Sequence, residues 1–317
     1  FMLNYYKACV AKIREEYGHF EVPRYAIHTG LVFMDEYHLF HPGDTIERDE
    51  MFETRAWTAL TRTLKQLSKY GIPMVLSTAT LVEQVQERIV SIYEDYLEGE
   101  VCIINLSKED KEERKDRIRR IYVTDEEYSS LIEKVTIKTE TTSVEKEEDF
   151  LKYVQQEVKN KEGQRVLVIC NTVSLAQKVY NAVKEVNNKT ILLHSKFTCQ
   201  DREEKIKLLN ECRVIVSTQV MEVGVDYDAD ILITEASPFV SLVQRCGRVL
   251  RKLEERERKG RLEGEVHIVL IKSRINEKKK HYSGVYPYDI VIKTFRAIEE
   301  AKKNIEWKLP FNVEGKI

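Results

Sequence analysis

The sequence predicts an α/β fold: two tandem units with parallel sheets, the first cut short in its N-terminal part. Three observations predict it. Short continuous apolar runs alternate with segments of helical periodicity in both halves of the chain. A charged stretch over residues 107–149 separates the halves, and the alternation restarts after it. Several apolar runs end abruptly in carboxylate, hydroxyl or imidazole residues, as buried parallel strands do where they meet a ligand.

The elements follow in order. Residues 2–17 place Leu3, Tyr6, Val10, Ile13 and Tyr17 on one helical face, and the chain enters this helix with no cap before it. Residues 30–35 read as a buried strand ending in carboxylates. A helix is expected over about 45–70, stopped by Gly71 and Pro73, then a strand at 74–77 and a helix over 81–98. Within the charged stretch, Ile121–Val123 and Val135–Ile137 are short strand candidates. The second half offers strands at 165–170, 190–194, 213–217, 230–234 and 266–271. Its helices fall near 145–160, opened by the acidic cluster Glu145–Asp149, and near 173–186, 200–211, 239–247 and 285–307. The expected division is 1–145, 146–280 and a helical extension over 281–317.

Composition narrows the classes. Hydrophobic residues make up 42%, and Gly and Pro number only 12 and 6, so the chain carries folded cores rather than low-complexity sequence. Mixed-sign charge at 33% favours ion-pair networks. The net charge of −2 gives no bulk support for nucleic-acid binding, though a groove on a neutral protein can be locally basic. The six cysteines form no C-x-x-C pair and read as reduced thiols of a cytoplasmic protein. No apolar run approaches the ~20 residues of a membrane span, and no signal peptide is expected in the sequence.

The chemistry lies at the strand ends. Asp35 and Glu36 close the first apolar run. Two carboxylates there suit Mg²⁺ (Asp35) beside a base for an attacking water (Glu36). Thr78 and Thr80 follow the next strand and suit a coupling segment, although Thr80 also suits a plain helix cap. Thr218 offers a hydroxyl and an N–H to a phosphate, Gly224 allows close backbone approach, and Asp226 suits a ribose hydroxyl or an arginine. His194, Ser195 and Lys196 end another strand and suit a nucleic-acid backbone. Gln244 and Arg245 lie on a short helix followed by Arg248 and Arg251, whose planar guanidinium groups can grip γ-phosphate oxygens in a bidentate manner.

In their order and spacing these segments resemble the motif set of superfamily 2 helicases of the DExH type. Asp35-Glu36-Tyr37-His38 looks like motif II, Thr78-Ala79-Thr80 motif III, and Val168–Asn171 motif IV. Thr218–Asp226 looks like motif V, and Gln244–Arg251 motif VI. Leu192-Leu193-His194-Ser195-Lys196-Phe197, the run Ser217–Val223, Gln244–Arg248 and Pro287-Tyr288-Asp289 are similar to the CRISPR-associated type I interference helicases. Gly224 stands where many of these carry Ser, and Cys246 where Ala is usual. The resemblance implies two RecA-like domains closing on ATP and Mg²⁺, with His38, Gly224, Asp226 and Arg245 at the nucleotide. It also implies an ATP-driven translocase on single-stranded DNA, recruited by a guide-RNA effector complex and working with an HD nuclease domain or subunit.

Two parts of that set are missing from the sequence. No G-x-x-x-x-G-K-[ST] segment occurs; at the one Gly-Lys, Gly315–Lys316, Pro310 replaces the first Gly. No His-Asp dipeptide occurs either. The chain therefore reads as a fragment, inactive alone in ATP hydrolysis. Two other readings stay open: a DExH RNA helicase or restriction/repair motor, and a non-catalytic module that docks nucleic acid or a partner.

Overall fold

The computed structural model describes residues 30–35, 37, 55–69, 71–78, 83–94, 101–106, 110–115, 117–222 and 225–301. The helix expected over 2–17 lies outside them. The chain divides into two compact units, Phe1–Asp125 and Glu126–Ile317.

In the first unit, β1 (Val32–Met34) pairs in parallel with β2 (Met74–Leu76). Two helices, α1 (Arg55–Lys69) and α2 (Glu83–Glu94), pack a core of Trp57, Leu60, Leu64, Ile89, Ile92 and Tyr37. A second sheet holds β3 (Val101–Leu106), β5 (Ile118–Val123) and β4 (Lys111–Lys115), in the order β3-β5-β4. Neither β3 nor β4 is among the expected strands, although β3 is an apolar run, Val-Cys-Ile-Ile-Asn-Leu. β4 is Lys-Glu-Glu-Arg-Lys, exposed throughout, and is fixed by antiparallel pairing with β5 and by Arg119, which grips both oxygens of Glu112.

The second unit begins with α3 (Glu126–Glu133) and β6 (Thr136–Val144), and so starts earlier than the expected boundary at 145/146. The reason is register. β6 runs nine residues in parallel along β11 (Glu263–Ile271), from Thr136 opposite Glu263 to Val144 opposite Ile271. Its polar sequence hides an edge strand, because an edge needs only one apolar flank. The other strands are β7 (Val166–Ile169), β8 (Thr190–Leu193), β9 (Val214–Ser217) and β10 (Ile231–Glu235). The sheet order is β6-β11-β10-β7-β9-β8, and every pairing is parallel.

Helices cover both faces, so the central strands are apolar without interruption. Val166 and Val168 point into a layer with Phe150, Val154 and Val158 of α4 (Glu147–Asn160) and Leu175, Val179 and Val183 of α5 (Val173–Lys184). Leu167 and Ile169 point the opposite way, toward Leu242 and Cys246 of α7 (Phe239–Cys246) and Val291, Phe295 and Ile298 of α9 (Tyr288–Ala301). The terminal helix is therefore part of this core. Two shorter helices, α6 (Cys199–Leu208) and α8 (Leu253–Arg258), complete the alternation. Three two-residue strands, β12 (Ile275–Asn276), β13 (His281–Tyr282) and β14 (Tyr286–Pro287), form a small antiparallel sheet that apolar periodicity does not reveal.

Among the described residues no helix is long and apolar enough to cross a membrane. Of the described cysteines Cys170 and Cys246 are buried, Cys212 is half-buried, and Cys102 and Cys199 are exposed; none is bonded to another.

Candidate nucleotide and nucleic-acid site

In the first unit, Asp35 stands exposed at the carboxyl end of β1. Backbone bonds hold the next strand's end against it: Ser77 N–H donates to Met34 O (2.9 Å), and Tyr37 N–H donates to Ser77 O (3.3 Å). The segment leading into Thr78 is thus held beside the carboxylate segment. Burial pushes the Tyr37 hydroxyl up to about 12, so Tyr37 is a neutral wall of this site. Glu36, His38 and Thr80 lie outside the described residues.

In the second unit, the structure separates the arginines by role. Arg245 was expected at the nucleotide, but its side chain is fully buried and all five of its N–H groups are spent inside the domain. Nε donates to Glu222 (2.8 Å). Nη1 donates to Thr234 Oγ1 (2.8 Å) and to the carbonyl of Glu235 (3.0 Å). Nη2 donates to Asn171 Oδ1 (3.0 Å) and Tyr286 Oη (3.3 Å). Burial works against its charge, but Glu222, Tyr286 and Glu235 outweigh that and raise its pKa. In this structure Arg245 is a brace that ties three motif segments together.

Arg248 is also buried, and donates to the backbone carbonyls of Val225 and Glu222. Gly224 itself lies outside the described residues. Arg251 differs: its side chain is exposed, and its Nε donates to the equally exposed Asp226 (3.0 Å), whose other oxygen is 3.6 Å from Lys252 Nζ. That pairing uses one edge of the guanidinium fork. Gln244 is half-buried on α7.

Backbone geometry aims this segment. Ala229 N–H donates to Arg248 O and Leu250 N–H to Ala229 O. Leu250 adopts the left-handed region (φ 52°), an unusual conformation for a branched residue, and is held there by burial. Behind it, a Cβ on Gly264 would come within 2.7 Å of Val249 Cγ1 and 3.1 Å of Leu250 Cγ. Arg256 fixes the other side by binding both oxygens of Asp228 (2.8 Å each), Asp230 Oδ1 (2.7 Å) and the carbonyl of Ala229.

The residues expected at nucleic acid divide as well. Ser195 and Lys196 are exposed just past β8. His194 and Thr218, by contrast, are only 4% and 2% exposed. His194 stacks flat on Phe197 (centroids 4.1 Å apart), whose ring also meets Lys205 Nζ at 4.5 Å. Burial, with Lys196 and Lys205 nearby, holds the imidazole pKa below its usual value and keeps it neutral at pH 7. The stack orders the turn that presents Ser195 and Lys196.

Sequence reading missed Glu222, Glu235, Asp228, Arg256, Arg274 and Tyr286 as parts of the site. Their only signal is proximity, since Arg245 meets Asn171 and Tyr286 from 74 and 41 residues away in the chain.

Residues 162–254 match the family model of the CRISPR-associated nuclease/helicase Cas3, C-terminal part. The CRISPR-associated endonuclease/helicase Cas3 of Escherichia coli K12 is 40% identical over 102 residues, 28% of this chain and 12% of that protein. Among solved structures, T. fusca Cas3 with AMPPNP superposes with a TM-score of 0.60 at 19% identity, covering 89% of this chain and 34% of that one. A chain of a CRISPR RNA-guided surveillance complex in its pre-nicking state gives 0.61 at 18% identity, covering 88% and 36%. The chain therefore spans about an eighth of that curated relative and about a third of the solved chains. Residues 162–254 are thus similar to the C-terminal part of the Cas3 nuclease/helicases, and the α/β fold of the chain is similar to that of solved Cas3 chains.

Proposed function

We propose that this chain is part of the motor of an ATP-driven single-stranded DNA translocase acting in type I CRISPR interference. The observation that carries this reading is the interlock of the second unit's motifs. Arg245 holds the Glu222 carboxylate, Arg248 holds the carbonyls of Glu222 and Val225, and Arg251 stands exposed with its Nε on Asp226. Such a frame suits an arginine that meets the γ-phosphate, with Gln244 beside it and Gly224 and Asp226 lining the nucleotide's path.

Asp35, an exposed carboxylate at the carboxyl end of a parallel strand, fits Mg²⁺, which takes one or two protein carboxylates and keeps water and phosphate for the rest. The ion would neutralise phosphate charge. Glu36 would orient and deprotonate the attacking water, and Thr78 and Thr80 would relay the state of the carboxylates. Ser195 and Lys196 would touch the DNA backbone. The likeness to a surveillance-complex chain supports recruitment by a guide-RNA effector complex, and the nuclease named in the relatives supports an HD nuclease partner.

In the complete protein that carries these residues, Arg251→Ala should lower ATP turnover by ~10³ or more while nucleotide still binds. Turnover within tenfold of the parent would defeat the assignment. A second reading, a non-catalytic binding module, is favoured by one fact: these 317 residues contain no phosphate-cradling G-x-x-x-x-G-K-[ST]. The motor reading requires that cradle from another segment or subunit and predicts no turnover by the 317-residue chain alone. If supplying the cradle restores no DNA-stimulated turnover, the binding module is correct.

A further inference from the structure

The β12–β14 sheet lies outside the five superfamily 2 motif segments, yet its root crosses the carboxyl ends of five strands of the large sheet. Tyr282 Oη accepts from Ile271 N–H at the end of β11 (3.0 Å). Ser283 Oγ donates to Glu235, the last residue of β10, and Arg274 Nε pairs with the same carboxylate (2.9 Å). Arg274 also donates to Thr172 Oγ1, just beyond β7 (2.9 Å), and pairs with Glu147, just beyond β6. Tyr286 Oη accepts from Gln219, just beyond β9, and from Arg245 (3.3 Å each). In an open parallel sheet this is the edge where ligands bind.

The turn between β12 and β13 is Glu277-Lys278-Lys279-Lys280, and all four residues are exposed. Among the described residues no carboxylate pairs with any of the three lysines, whereas Lys272 and Arg274 at the root are both paired. Lys280 adopts left-handed backbone (φ 51°), where glycine would cost less. Lys279 N–H is fixed by Asn276 Oδ1 (3.0 Å) and Lys280 N–H by Glu277 O (3.2 Å). A protein of net charge −2 thus presents three adjacent unpaired cations on a hairpin anchored at its sheet's ligand-binding edge.

We propose that Lys278, Lys279 and Lys280 form a contact for the phosphate backbone of single-stranded DNA, additional to Ser195–Lys196; this rests on the nucleic-acid reading above. The hairpin grips charge rather than sequence, and its root passes the load to Arg245 through Tyr286.

The test is the salt dependence of binding of a 5′-labelled oligo-dT to the 317-residue chain, read by fluorescence anisotropy. Each phosphate contact on a single strand contributes about 0.7 to the slope of log K against log salt. The combined variant Lys278→Gln, Lys279→Gln, Lys280→Gln should flatten the slope by about 2 and keep the parent circular dichroism and melting curve. A control with Lys111→Gln, Lys115→Gln and Lys259→Gln removes the same charge from other exposed sites and should leave the slope within about 0.5 of the parent. An unchanged slope in the hairpin variant, or equal flattening in both, overturns the proposal while the nucleic-acid reading stands. No binding by the parent chain overturns both.

Discussion

Removing the Arg245 guanidinium would leave Glu222 without its buried partner and strip donors from Thr234, Asn171 and the Glu235 carbonyl. Breaking a buried pair costs ~3–5 kcal/mol, because the surviving charge stays desolvated. Arg245→Ala should lose that much in urea unfolding of the 317-residue chain, and Arg245→Lys should recover only part, since an ammonium offers three donors against five. A loss below ~1 kcal/mol would show that Arg245 is not the brace described. Arg251, on the same motif, is exposed and should be nearly silent in stability (within ~0.5 kcal/mol). Gly264→Ala tests the backing of the segment between them. Its Cβ would press on Val249 and Leu250, and overpacking of this kind costs ~1–3 kcal/mol in the same measurement.

At the scale of elements, the central strands carry the stability. Leu167 of β7 is fully buried in the layer beneath α7 and α9, and Leu167→Ala should cost ~2–5 kcal/mol. The links at the sheet's rim set its acid limit. At Glu147, burial opposes ionisation, but Lys178 and Arg274 win and hold the carboxyl below its usual pKa; at Glu265, Lys161 and His267 likewise overcome burial. A carboxyl depressed in the folded state adds stability that is complete above its unfolded value, near 4.5, and is lost as pH falls through the lower folded value. Melting temperature should therefore be flat downward from pH 7 to about 5 in these groups' contribution and fall below pH 4.5, with the fall reduced in Glu147→Gln. These elements were legible to different degrees. β7 to β10 announce themselves as apolar runs because both faces are covered. β4 and most of β6 do not, because pairing with a neighbour holds a polar strand as well as an apolar one. The arginines of motif VI look alike in sequence; only the fold brings Asn171, Glu222 and Tyr286 to Arg245 and leaves Arg251 in solvent.

For the molecule as a whole, the sequence carries the motif order and the α/β class, and the structure supplies the division of labour. Braces are buried, the turn bearing Ser195 and Lys196 is ordered by a His194–Phe197 stack, and a basic hairpin stands at the ligand edge. The central claim is that this frame serves ATP hydrolysis. Its most direct test is ATP turnover by the complete protein bearing Glu36→Gln, measured beside nucleotide binding and DNA stimulation. The motor account predicts normal ATP affinity with turnover lowered by at least ~10², the usual contribution of a positioned base. Near-parental, DNA-stimulated turnover in that variant would contradict it.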